Sequence, residues 1–342
     1  MPKLLLIADY HPGSLGLYYE RAFVSLDWTV VRYDYGAAYS LAWPFLGARA
    51  LRRALRPLIW QRMNAEVIDI VSGTCDMVLA VKAPFLDIPT VRSLRDRCPA
   101  TVMIYPDSPW DEWTQRRDVL SVLAAFARTY IWSHSLVNQL RDNGICASYL
   151  AFAWDNEYGV TRGDNVERAA SIAFAAQPYP NRIEWLKALE GLPVVVYGPQ
   201  WAQSWFGAKS SVRVIRTAMM GADIARVYAS IQVAINITNP KNFSGHNMRM
   251  FEIPATGALM ITNHTTDLEE YFPPWVACLS AATPEEFRSQ CQWALANPLK
   301  AAEIAAEGTR YAKGHTYKAR ARQILNDLEQ HTNSKTPRVH FP

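Results

Sequence analysis

The chain has 342 residues, half of them hydrophobic and 19% charged, and its 35 Lys and Arg outnumber its 31 Asp and Glu by four. This composition excludes a disordered chain and a coiled coil, no fixed-period repeat is present, and the length suits roughly two domains of about 150 residues. A net charge of +4 does not by itself point to nucleic acid, while 12 Trp is a large complement for this size.

In chain order, residues 4–8 form an apolar run that predicts a buried strand, followed by a turn and a helix over 15–26. Further strands are predicted at 29–33, 77–81, 101–105 and 129–132, separated by helices at 89–97, 111–126 and 135–143. Strands alternating with helices imply a parallel sheet covered on both faces. The pattern restarts with strands at 170–175, 193–197, 212–215, 233–237 and 258–262. Helices are expected at 181–189, 222–229, 246–255, 284–296, 298–312 and 317–330. Two α/β units with a cleft between them follow: an N-terminal domain over 1–155 and a C-terminal one over 169–330. The polar stretch 156–168 reads as a linker. The final helix, about 317–330, is expected to pack back on the N-terminal domain, with 331–342 a loose tail.

Residues 37–63 break the rhythm. No acidic residue occurs between Tyr35 and Ala65, and Arg49, Arg52, Arg53, Arg56 and Arg62 fall on a helical pattern beside leucines. Such a helix either packs on its domain with arginines in solvent or meets an anionic partner: membrane, nucleic acid or acceptor. The five cysteines are scattered, without CxxC or metal-ligand spacing, and the first apolar run is too short for a signal-peptide core. A cytoplasmic location is the expectation.

GxSxG, GxxxxGK[ST], HExxH and GxGxxG are all absent, and no Asp-x-Asp pair offers a site for a divalent cation on a nucleotide diphosphate. The informative stretch is NFSGHNMRMFEIPATGALMIT at 242–262. Ser244 is a candidate cap for a helix whose first turn holds Gly245, His246 and Asn247 and whose N–H groups suit phosphate. Arg249 and Glu252, three residues apart, share a helix face. They are either a surface ion pair or a phosphate-and-ribose pair. Tyr197 and Gly198 sit at a strand end, where α/β ligands collect. On the N-terminal side, His11, Gly13 and Ser14 follow the first strand. Asp107, Trp110 and Asp111 follow another, where a carboxylate among aromatic rings suits an acceptor hydroxyl, or Asp111 caps a helix. His134 opens a helix. Trp110, Trp113, Trp132 and Trp154 are the expected sugar-facing rings, with the remaining tryptophans structural.

NFSGHNMRMFEIPATGALMITN, DLEEYF and EGTRYAKGHTYKARARQIL together resemble the CgeB-like glycosyltransferases, within the GT-B superfamily. NRIEWLKAL, LPVVVYGPQW and DIARVYASIQVAINI precede them in order; YPDSPWDEW, SHSLVNQLRDNGI and SYLAFAWD extend the likeness to the N-terminal half. The resemblance implies two Rossmann-like domains facing each other across a cleft, with a nucleotide-diphosphate sugar as co-substrate and no cofactor. It also implies transfer to an acceptor hydroxyl with retention and without metal. The acceptor stays open among a saccharide, a protein, a small molecule and a hydroxylated DNA base. Glu252 matches the second Glu of the Glu-x7-Glu motif that binds ribose, while the first Glu falls at Ser244. Arg182 and Arg249 become the diphosphate candidates, His246 or Asn247 a substitute for the missing Glu, and Asp107, His134 and His246 the catalytic candidates. The competing function is a nucleotide-sugar-binding or scaffolding protein without transfer, with a dehydrogenase disfavoured by the missing glycine fingerprint.

Overall fold

The computed structural model describes residues 1–41, 49–71, 75–111, 118–159, 168–239 and 245–333. The chain divides into two compact units, one combining Met1–Ala151 with the segment that begins at Tyr317, the other Phe152–Thr316.

The first unit contains β1 (Lys3–Ala8), α1 (Leu15–Val24), β2 (Thr29–Asp34), α2 (Tyr35–Leu41), α3 (Arg49–Val71), β3 (Met77–Val81) and α4 (Ile88–Arg97). It continues through β4 (Thr101–Ile104), α5 (Val119–Ala125), β5 (Arg128–Ile131), α6 (His134–Asp142) and β6 (Ala147–Tyr149). Its six strands are parallel in the order β2-β1-β3-β4-β5-β6. Leu4 to Ala8 and Met77 to Ala80 are sealed from solvent, as expected for apolar runs that helices cover on both sides. Gly16 lets α1 close on the end of β1, because a Cβ there would lie 2.4 Å from the Asp9 carbonyl oxygen.

The second unit contains β7 (Ala169–Ala175), α7 (Pro180–Ala188), β8 (Val194–Tyr197), β9 (Val212–Ile215), α8 (Ala222–Ser230) and β10 (Ile231–Asn236). After these come α9 (Arg249–Ala255), β11 (Leu259–Asn263), α10 (Leu268–Tyr271), β12 (Leu279–Ala281), α11 (Pro284–Ala296) and α12 (Pro298–Ala312). Its six strands are also parallel, ordered β12-β11-β10-β7-β8-β9. Renumbered from β7, this is the 3-2-1-4-5-6 arrangement of Rossmann sheets. Its core gathers Val194, Val196, Trp201, Ile235, Ile261 and Phe287, among others, all essentially buried. Each such side chain contributes roughly 1.5–3 kcal/mol by leaving water.

The last helix, α13 (Tyr317–Asn333), belongs to the first unit. Tyr317 stacks on Tyr18 with ring centroids 5.0 Å apart, and Arg320 Nε and Gln323 Nε2 donate to the carbonyls of Ala151 and Tyr149, both at 3.0 Å.

Several elements differ from expectation. β6 and β12 have three residues each, too few to show a period. The helix expected from 111 begins at Val119, with 112–117 outside the described residues, and the one expected from 246 begins at Arg249. The stretch read as a linker is anchored at both ends in the second unit. Tyr158 is 1% exposed, and Arg168 donates to the carbonyls of Tyr228, Ile231 and Thr256. Residues 160–167 lie outside the described residues.

Candidate active site

In parallel α/β sheets, ligands collect beyond the carboxyl ends of the strands, where the strand order reverses. In the second unit that point lies between β7 and β10. Arg182, on α7, spans it: Nε donates to the carbonyl of Ile237 (2.8 Å) just past β10, and Nη1 to that of Gln177 (2.9 Å) just past β7. Its guanidinium also lies over the rings of Tyr179 and Phe174. Burial above all, reinforced by the like charge of Arg249, brings its pKa down to about 10. Two arginines therefore converge on this edge.

Arg249 and Glu252 stand one turn apart on α9 and pair through Arg249 Nη1 and Glu252 Oε2. Arg249 Nη1 also meets the Tyr158 hydroxyl at 3.1 Å. The carboxylate of Glu252 is fully buried, whereas the Arg249 side chain keeps about a quarter of its surface exposed. Burial pushes the Glu252 carboxyl above its ordinary pKa, and the adjacent guanidinium only partly opposes this. Burial alone would lower Arg249, but Glu252 and the neighbouring tyrosines Tyr228 and Tyr158 hold it well above its usual value.

The second carboxylate oxygen of Glu252, Oε1, is buried without a hydrogen-bond partner among the described residues, and so is Nδ2 of Asn236 at the end of β10. Asn247 connects the two elements, its Nδ2 donating to Asn236 Oδ1 (2.9 Å) and its Oδ1 accepting from the N–H of Met250 (3.2 Å). Asn247 therefore supplies a cap for α9. Ser244, expected in that role, lies outside the described residues.

Other expected residues of this unit have structural tasks. Tyr197 is half-buried at the end of β8. Gly198 has φ +149°, and a Cβ there would come within 2.8 Å of Trp201, whose indole N–H donates to the Ala176 carbonyl at 2.6 Å. His246 is fully buried and packs edge-on against Phe152, Phe251 and Tyr271. Trp154, expected to face sugar, lies in this unit and braces it, donating its indole N–H to the Ala312 carbonyl at 2.7 Å.

In the first unit the order reverses between β1 and β3. After β1, His11 Nε2 stands 3.8 Å from an oxygen of Asp9, while its Nδ1 donates to the Pro12 carbonyl at 2.9 Å. Gly13 has φ +78°, and Ser14 caps α1 by accepting from the N–H of Leu17 at 3.3 Å. After β4, Asp107 pairs with Lys82 Nζ at 2.5 Å, and both side chains are about half exposed. Trp110 is 39% exposed, and the N–H of Asp111 donates to the Ser108 carbonyl at 3.2 Å. Asp111 caps no helix in the described structure, since α5 starts at Val119. After β5, Ser133 caps α6, and the exposed ring of His134 stacks on Tyr149 at 3.7 Å. Trp132 is 5% exposed and belongs to the core; Trp113 lies outside the described residues.

Sequence reasoning missed Lys82, Tyr35, Tyr158 and Asn236. Burial, then the charges of Asp9, Asp107 and Asp34, push the Tyr35 hydroxyl upward, which marks it as a neighbour of these carboxylates. Lys82 and Asn236 had a usable signal, a polar residue closing an apolar strand. On α3, Met63, Asn64, Val67 and Val71 are buried, whereas none of 54–62 is. Arg56 lies over the Trp60 ring, and Arg62 pairs with Glu66 at 2.8 Å. The side chains of Arg49, Arg52 and Arg53 lie outside the described residues. Among the described residues, no three His, Cys, Asp or Glu side chains gather closely enough to hold a metal ion, and no helix is long and apolar enough to cross a membrane.

Residues 181–326 match the family model of glycosyl transferase-like proteins, Glyco_trans_1_2. No curated protein matches the sequence. Solved structures similar over the whole chain include sucrose-phosphate synthase from Thermosynechococcus elongatus, with TM-score 0.70 and 13% identity over 98% of this chain and 100% of that one. HepE from Anabaena, in complex with UDP-glucose, has TM-score 0.66 and 13% identity over 96% of this chain and 100% of its own. A glycosyltransferase from Rickettsia africae has TM-score 0.64 and 9% identity over 98% and 99%. The fold is the GT-B fold of these structures, and the domain matched in the C-terminal half makes the chain a glycosyltransferase by class.

Proposed function

We propose that this glycosyltransferase moves a sugar from a nucleotide-diphosphate donor, with uridine as the base, to an acceptor hydroxyl, with retention and without a metal ion. We place it among the CgeB-like enzymes. The observation that carries the donor assignment is the buried, half-satisfied carboxylate of Glu252 beside Arg249. An unpartnered buried carboxylate oxygen costs free energy unless something fills it, and a ribose hydroxyl is a donor of the right kind. Asn236 Nδ2 offers a complementary donor on the same edge. The Anabaena structure with UDP-glucose supports the choice of base and sugar nucleotide.

When the bond between sugar and diphosphate breaks, negative charge grows on the departing phosphate. Arg249 has the exposure to meet it, and Arg182, tied to two carbonyls, holds a second fixed positive charge nearby. Charge fixed in advance at a partly dry site stabilises a transition state more than mobile solvent does. In the first unit, Asp107 and His134 present exposed polar groups at strand ends, where an acceptor hydroxyl is oriented. The basic stretch with Arg49, Arg52, Arg53, Arg56 and Arg62 is proposed to meet an anionic acceptor or its carrier, which predicts acceptor binding that weakens with salt.

The test is calorimetric titration of UDP and UDP-glucose into wild type and Glu252→Gln. The proposal expects wild-type binding and a loss of about tenfold or more in the variant, the range for one charged hydrogen bond. Equal affinity in the two proteins removes the ribose assignment. Binding without UDP release across an acceptor panel favours a nucleotide-sugar-binding protein, a reading to which Ser244 in place of a Glu lends support.

A further inference from the structure

Lys82 and Ala83 follow β3 with φ of +60° and +37°, consecutive non-glycine residues in left-handed backbone. Such conformations persist only where the surroundings over-determine them, and they cluster where function needs an unusual direction of the chain. The Lys82 N–H donates to the Ile104 carbonyl at 2.9 Å, the Ala83 N–H to that of Val81 at 2.7 Å, and Ala83 is 2% exposed. The turn is thus built in, and its visible product is a lysine carried from the end of β3 to Asp107 past the end of β4. Both partners are about half exposed, and pairs of that kind contribute little to stability. The ion pair's own contribution to stability therefore does not account for the strained turn. Lys82 engages Oδ2 of Asp107, and among the described residues Oδ1 has no hydrogen-bond partner. The site adjoins the reversal of strand order between β1 and β3, the place where open parallel sheets in general collect ligands.

We propose that Lys82 is a positioning residue: held by its left-handed turn, it fixes the Asp107 carboxylate so that one oxygen is free to orient the acceptor hydroxyl. The proposal rests on the glycosyltransferase reading above. Its test uses the full chain with UDP-glucose as donor, water and a panel of saccharide, protein, small-molecule and hydroxylated-DNA acceptors, and UDP release as the readout. Lys82→Met should lower turnover about tenfold or more, part of the roughly hundredfold that a misplaced catalytic group can cost, with UDP affinity unchanged. Lys82→Arg should restore most of it. Adding Lys82→Met to Asp107→Asn should cause no further loss, because the two act as one unit. Crystal structures of the Met and Arg variants give a readout independent of activity: Asp107 should leave its rotamer in the first and keep it in the second. Turnover present in the wild type but indifferent to Lys82→Met overturns the positioning role alone. No turnover in the wild type, with UDP bound, overturns the transferase reading and this role with it. An Asp107 that stays in place in Lys82→Met overturns the proposal whatever the activity.

Discussion

The two sheets share a parallel design and place charge at the same end of their strands, but they treat that charge differently. In the second unit the pair Arg249–Glu252 is packed on a helix, its carboxylate sealed from water, and Arg182 is clasped to two strand-end carbonyls. In the first unit the pair Lys82–Asp107 stands half in solvent, on a backbone turn that is itself strained. A buried pair is rigid and expensive to disturb. An exposed one contributes little to stability, so its geometry can serve a ligand at small cost to the fold. The contrast suits the proposed roles, a constant nucleotide at the second unit and an acceptor that enters and leaves at the first.

The largest expected effect tests the rigid side. Glu252→Ala strands the Arg249 guanidinium against buried surface and should cost about 3–5 kcal/mol of stability by urea unfolding, the usual penalty for removing one partner of a buried pair. Next comes Gly16→Ala, whose new Cβ would fall 2.4 Å from the Asp9 carbonyl oxygen, a backbone atom that cannot swing aside. It should cost about 1–3 kcal/mol, as other overpacked sites do, and unfolding midpoints measure it. Lys82→Met should change stability by no more than about 1 kcal/mol. If Lys82→Met proves as costly as Glu252→Ala, the two edges are alike and the contrast between them fails.

Much of this was legible in the sequence for a physical reason. Buried parallel strands are continuous apolar runs, so 4–8 and 77–81 announce themselves, and the restart after residue 168 shows a second sheet. Arg249 and Glu252 were legible as a pair because a helix fixes which residues share a face. That the pair is buried was not, since an i,i+3 ion pair reads the same on a wet surface. Tyr158 lay hidden in a polar stretch, and only tertiary packing makes it a neighbour of Arg249. Trp154 misled for the converse reason. A residue type that suits a sugar face also suits packing, and here a backbone carbonyl claims its indole N–H. Lys82 carries no sequence signal for its left-handed turn, because neither it nor Ala83 is a glycine.

The smallest expected effect concerns pH and separates burial from pairing at Glu252. Its carboxyl is held above the ordinary value of 4.5, chiefly by burial. The folded protein therefore binds that proton more tightly than the unfolded chain does. By linkage, the resulting contribution to stability is fully present below the ordinary carboxylate range and is lost as pH rises through the folded value. A Gln at this position has no such proton. The stability of wild type relative to Glu252→Gln should accordingly be most favourable in acid and decline as the pH rises above that range. Urea midpoints of the two proteins, taken at intervals from acid to neutral pH, measure the trend. A difference that grows with pH instead would mean that attraction to Arg249 outweighs burial. Glu252 would then be an ordinary salt-bridged carboxylate, its burial outweighed by its partner.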